Sequence, residues 1–145
     1  MTDQTTGRSD PAAPHAAYIT AVVEALARKG IRVEQVEIRP GPPLKASMTV
    51  VEVDAPDNTV VSAAEWVRLV WTPRAGWGWL AKYENVQQAG RPVYHGFSAV
   101  PRPDAVAAWV HVAMTHPEVQ LDQEGGPFDT PDLEYVLRGY AVTSR

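Results

Sequence analysis

The run "VRLVWTPRAGWGWLAKY", residues 67–83, together with Trp66 just before it, gathers four of the chain's five tryptophans. Two apolar stretches separated by "TPRAG" read as a β-hairpin with a short loop. With Arg74-Ala75-Gly76 as the loop, a type I turn followed by a left-handed Gly76, Pro73 faces Trp77. Trp71 then lies opposite Trp79, and Val67 opposite Tyr83. One face collects Val67, Leu69, Trp71, Trp77, Trp79 and Tyr83, while the other carries Arg68, Val70, Thr72, Leu80 and Lys82. A four-residue loop starting at Pro73 is the alternative, and it moves Trp77 and Trp79 to the face opposite Trp71. The first register is preferred because it sorts apolar from mixed residues.

A face this rich in indoles must be covered. Each tryptophan buries about 150–250 Å². At about 25 cal/mol per Å² that is roughly 4–6 kcal/mol of gross burial per ring, an upper figure. The cover is legible elsewhere in the chain. Ile19, Val22, Val23 and Leu26 keep helical spacing over about 13–29, with Gly30 placed to stop the helix. Val106, Trp109, Val110, Ala113 and Met114 do the same over about 103–115, where Pro103 suits the first helical position. A last short helix is expected from Pro131 to Arg138, capped by Thr130, with Gly139 beyond its end.

Between the helices the pattern is of strands. "IRVEQVEI" alternates, but Ile31 and Val33 are out of phase with Val36 and Ile38, which asks for a bulge near Glu34 and Gln35. "SMTVVEVD", "AEWVRLVWT", "GWGWLAKYE" and a short "RPVYHGF" complete the set. The connections are too short for helical crossovers, so pairing is antiparallel. The expected fold is α+β: a four- to five-stranded meander with N-terminal and C-terminal helices packed on one face. Residues 1–13 read as a disordered tail, 14–116 as the domain, and 117–145 as an acidic extension with a short helix.

Composition narrows the function classes. At 145 residues the chain suits one domain. No apolar run approaches a membrane span, and the polar start "MTDQTTGRSDPAAP" is no secretory signal. The expected location is therefore the cytoplasm. The absence of cysteine excludes thiol nucleophiles and thiolate zinc sites. Net charge is -4, but residues 65–102 carry +3 and residues 103–145 carry -5. The acidic segment is thus able to fold over the basic one and compete with an anionic partner.

Motifs for chemistry are sparse. His111 and His116 are five apart, so they do not form an i, i+4 metal pair, and no H-E-x-x-H occurs. There is no P-loop and no G-x-S-x-G. His95, in "VYHGF", is a strand-end histidine of the kind that can line a pocket. The central basic excess with interleaved aromatics is the mix used by single-strand binders, but the chain is acidic overall and carries no nucleic-acid motif.

The segments "HAAYITAVVEALARKG", "EWVRLVWTPRAGWGWLAKY" and "VPRPDAVAAWV" resemble, in order and spacing, a family of small actinobacterial proteins that form a domain of unknown function. The resemblance covers about residues 15–110. In the family pattern an acid often precedes the helix-starting proline, where this chain has Arg102, a poorer N-cap. The resemblance implies no catalytic or binding residues.

The expected role is a non-enzymatic module that binds another protein or acts as a regulatory accessory, with Trp66, Trp77 and Arg74 as partner contacts. The alternative is a small-ligand pocket between the sheet and the 103–115 helix, built from Trp71, Trp79, Tyr94 and His95. A third reading is weak binding of nucleic acid or another polyanion. No cofactor and no metal are expected.

Overall fold

The computed structural model describes residues 13–56, 60–84, 86–116 and 125–143. The elements run α1 (Ala16–Arg28), β1 (Ile31–Arg39), β2 (Lys45–Val53), α2 (Val60–Ala63), β3 (Ala64–Thr72), β4 (Gly76–Tyr83), β5 (Val93–Tyr94), α3 (Pro103–Thr115) and α4 (Leu133–Thr143). The five strands form one antiparallel sheet in sequence order. Helices α1, α3 and α4 make a layer on one face, so the fold is α+β as expected.

The sheet sorts its side chains by the two-residue period of a strand. Ala46, Met48 and Val50 of β2 and Val67, Leu69 and Trp71 of β3 are buried beneath the helices. α1 answers with Tyr18, Ile19, Val22 and Leu26, and α3 with Val106, Val110 and Met114, all fully buried. α1 closes at Lys29 and turns through Gly30, whose φ of 79° is the left-handed stop. Arg102 sits at the N-cap of α3 and makes no side-chain cap bond.

The Trp-rich hairpin keeps the expected faces but not the expected pairing. Thr72 faces Gly76, Trp71 faces Trp77, Leu69 faces Trp79 and Val67 faces Ala81. The loop is Pro73-Arg74-Ala75, one residue earlier than anticipated. Inside the ladder Pro73 would have no N–H to donate, whereas the first loop position suits it. The Ala75 N–H donates to the Thr72 hydroxyl at 3.1 Å, which closes the turn, and Gly76 takes a φ of 77°. The pairing shifts by two positions, so every side chain keeps its face. Tyr83, expected opposite Val67, lies opposite Ala64 beyond a register shift, and is 38% exposed.

β1 is an edge strand. Its ladder with β2 slips between Arg32 and Val33 and again between Glu34 and Glu37, and Gln35 adopts a φ of 56°. The bulge expected at Glu34 and Gln35 is there. With Arg32 bridged to Glu34 and Glu52, and Arg39 to Glu37, this edge is kinked and charged, a poor template for another strand.

The C-terminal helix differs from expectation at both ends, beginning at Leu133 rather than Pro131. α4 does not stop before Gly139 but runs through it to Thr143. Nothing stands within 4 Å of a Cβ built on Gly139, so the glycine only weakens an exposed turn. Leu137 is fully buried in the same core as α1 and α3.

Candidate functional site

Beneath the helices runs a chain of rings. His15, just before α1, stacks on Trp71 with centroids 5.5 Å apart. Tyr18 lies against both Trp71 and Trp77, and Tyr140 of α4 closes on Tyr18 at 4.9 Å. The polar atoms of this layer are largely matched: Trp71 Nε1–H donates to the Ala99 carbonyl at 2.7 Å, and Trp77 Nε1–H to the Tyr18 hydroxyl at 3.0 Å. The Tyr18 hydroxyl in turn donates to the Pro101 carbonyl at 2.5 Å. His15 Nε2 donates to the Lys45 carbonyl at 2.8 Å. Burial pushes the Tyr18 hydroxyl well above its ordinary pKa, with the Trp77 donor opposing. Burial also holds His15 below its ordinary value, against the bond to the Lys45 carbonyl that raises it.

Two expectations fail here. Trp77 was expected as a partner contact beside the turn, yet it is fully buried, because Tyr18 of α1 lies across it. Trp71 was expected to line a pocket between the sheet and α3; it is 1% exposed and packed by His15 and Tyr18, and the cavity it borders lies instead toward β1, beside Arg39, Lys45 and Ala46. Both rings are core.

Trp66 is on the other face of the sheet and is half-buried. The Arg68 guanidinium sits 4.9 Å from its ring centroid, a cation–π pair. Val70 and Leu80 share this face and are half-buried, and Lys82 pairs with Glu65 along it. At the β1–β3 end of the sheet lies a cavity of about 140 Å³ whose lining takes Glu37, Ser47, Val70 and Thr72 together with Arg39, Lys45, Ala46 and Trp71, so it belongs to neither face alone. Arg74 stands exposed at the tip of the hairpin turn.

The remaining ligand residues are split by the sheet. Trp77 Cα lies beside His95, whose N–H donates to the Trp77 carbonyl at 2.9 Å, and Trp79 faces Val93. Trp79 and His95 therefore project toward α3. Tyr94 projects the other way. A Cβ on Gly78 or on Gly125 would meet the Tyr94 ring at 2.9 or 2.5 Å, so the ring is clamped between two glycines. Tyr94 thus cannot share a pocket with His95, because successive strand residues point to opposite faces.

His95 meets two rings that were not singled out as site residues, Phe97 at 5.1 Å and Trp109 of α3 at 5.4 Å, each edge-on. Phe97 is 72% exposed. The glycine before Phe97 was the available signal: Gly96 has a φ of 84° and turns the chain outward there. Burial lowers the His95 pKa, so its ring is neutral at pH 7. His95 Nδ1 and Trp79 Nε1 are buried and find no hydrogen-bond partner among the described residues.

The segment after α3 returns to the hairpin. Phe128 N–H donates to the Arg74 carbonyl at 2.7 Å, and the Phe128 ring approaches Gly76. The described part of the acidic extension thus meets the turn through backbone and a phenyl ring, not through its carboxylates. Among the described residues no group of three or more His, Asp or Glu side chains gathers at a metal-binding distance, and no helix is long and apolar enough to cross a membrane.

The profile of the family of unknown function DUF6292 matches residues 18–112 of the 145, and the chain belongs to that family. Comparison with curated proteins and with solved structures gives no match. The matched span contains the whole sheet, Tyr18, Trp71 and Trp77 of the aromatic layer and most of α3, while His15 and α4 with its Tyr140 lie outside it.

Proposed function

We propose that this protein is a non-enzymatic module that binds another protein, in a regulatory or accessory role, through the face of the sheet opposite its helices. The observation that carries this reading is the Trp66–Arg68 pair on that face. Tryptophan and arginine are the residue types most often found at the energetic centres of protein interfaces. Here they stand together, with Val70 and Leu80 as apolar neighbours. Arg74 extends the contact surface at the hairpin tip. Trp77, being core, takes no part.

The face mixes Arg68 and Lys82 with Glu65 and Glu37, a pattern that suits a protein partner better than a polyanion. The same reading takes the module to act in the cytoplasm, where a chain without cysteine is at home.

The test is a photo-crosslinking residue placed at Arg68 or Leu80 in the full chain, expressed in its native host. Crosslinks to one defined protein that disappear with Trp66→Ala support the reading. Capture unchanged by Trp66→Ala, or no crosslink from either position, overturns it.

A further inference from the structure

We infer that the seam between the β4–β5 edge and α3 binds a small, planar, uncharged molecule that offers a hydrogen-bond acceptor to Trp79. This site is on the helix side of the sheet, so it stands or falls apart from the partner face around Trp66.

The first observation is an exception to a rule kept elsewhere in the core. The indole N–H groups of Trp71 and Trp77 both reach acceptors, at 2.7 and 3.0 Å. Trp79 Nε1–H has none among the described residues, although Trp79 is only 7% exposed. A buried donor left unpaired is destabilising, and each such group in a folded protein calls for an explanation.

A second buried, unpartnered atom lies close by. His95 Nδ1 sits on the same face, one diagonal of the ladder from Trp79, a separation of about 7–8 Å between backbones. A third atom of the same kind, His15 Nδ1, is sealed in a side chain with no exposure, so it opens onto nothing. The seam differs because His95 is only half-buried and lies against the exposed Phe97.

The exposed flank of the seam is aromatic. His95 meets Phe97 and Trp109 edge-on, at 5.1 and 5.4 Å, and Phe97 is 72% exposed. A large apolar ring held in solvent beside two others offers a flat ligand a surface to stack on.

The chemistry of the ligand follows from the donors. An indole only donates, so the ligand must accept. A neutral imidazole either donates or accepts at Nδ1, and burial keeps His95 neutral. None of the four side chains supplies a positive charge, so an amide or ring carbonyl fits where a carboxylate does not.

The probe is benzamide, added to the uniformly ¹⁵N-labelled full chain, with the Trp79 indole cross-peak followed by NMR. Saturable shifts of that peak and of the His95 ring are expected. Phe97→Ala, a change at an exposed position that leaves the core intact, weakens binding by about tenfold, and Trp79→Phe by a similar factor. Benzoate and cyclohexanecarboxamide bind about tenfold more weakly or not at all, the first for its charge and the second for its shape. An indole peak unmoved by benzamide, or shifts indifferent to Phe97→Ala, overturns the inference. So does a long-lived water seen at the indole N–H that benzamide fails to displace, since the donor is then satisfied by structural solvent.

Discussion

The indole of Trp77 donates a hydrogen bond to the hydroxyl of Tyr18 across 3.0 Å, joining the fourth strand to the first helix inside the core. The same hydroxyl donates onward to Pro101, at the entrance to α3. One phenol therefore ties together the two helices and the sheet that they cover.

Tyr18→Phe leaves both the Trp77 donor and the Pro101 acceptor without that partner, at a cost of about 1–3 kcal/mol. Trp77→Phe removes the donor and opens a void beside Tyr18. The double variant is expected to lose less than the sum, because the two side chains share one bond. Urea unfolding of the four proteins measures the coupling. Additive losses would mean that the bond contributes nothing. Alkaline spectrophotometric titration gives a second check: Tyr18, raised by burial, resists ionisation past pH 10 until the chain unfolds, and Tyr18→Phe removes that late step.

Acid sensitivity has a predicted sign. His15 and His95 are both held below their ordinary value by burial. In the unfolded chain each takes up a proton near pH 6.5. Above that pH both states are neutral at these rings and their contribution to stability is complete. As pH falls below about 6.5 the unfolded state binds protons first, so stability declines until the folded rings also titrate. His15→Phe is expected to flatten the slope of unfolding free energy between about pH 7 and 5, whatever it does to the absolute value. An unchanged slope would show that His15 titrates alike in both states.

The C-terminal helix belongs to the core rather than to a loose tail. Leu137→Ala, at a fully buried position, is expected to cost about 2–5 kcal/mol. Tyr135→Ala, at a position 82% exposed on the same helix, should stay within about 0.5 kcal/mol of the parent. Thermal unfolding compares the two. Equal effects would mean that α4 does not dock in solution. With Leu137 docked in the core, deleting residues 125–145 is expected to lower the melting temperature before it changes any affinity for polyanions.

The sheet was legible because strand periodicity is strict. The phase change between Val33 and Val36 located the β1 bulge, and the odd-numbered residues from Val67 to Trp79 declared one buried face. The pairing within the hairpin was not legible to the residue. It turned on the Thr72 hydroxyl and on Pro73 having no N–H to give, and a shift of two positions leaves the faces unchanged. The end of α4 was misread because an exposed glycine is tolerated where no neighbour crowds it. The candidate sites fared worse, for a physical reason. Trp77 looked peripheral beside its turn, and only Tyr18, 59 positions away, makes it core. Tyr94 and His95 were grouped although adjacent strand residues face apart, so that conflict was present in the residues themselves. The edge-on contacts of His95 with Phe97 and Trp109 depend on where α3 lands, which no local pattern reports.

The meeting of Tyr18 with Tyr140 has a consequence for biosynthesis. The first helix leaves the ribosome long before α4 exists, so until then the phenol waits with one side bare. Strands can pair as they emerge, but the aromatic layer is finished only when the final helix swings onto it. A nascent chain stalled before that point would show solvent a greasy flank that α4 otherwise covers.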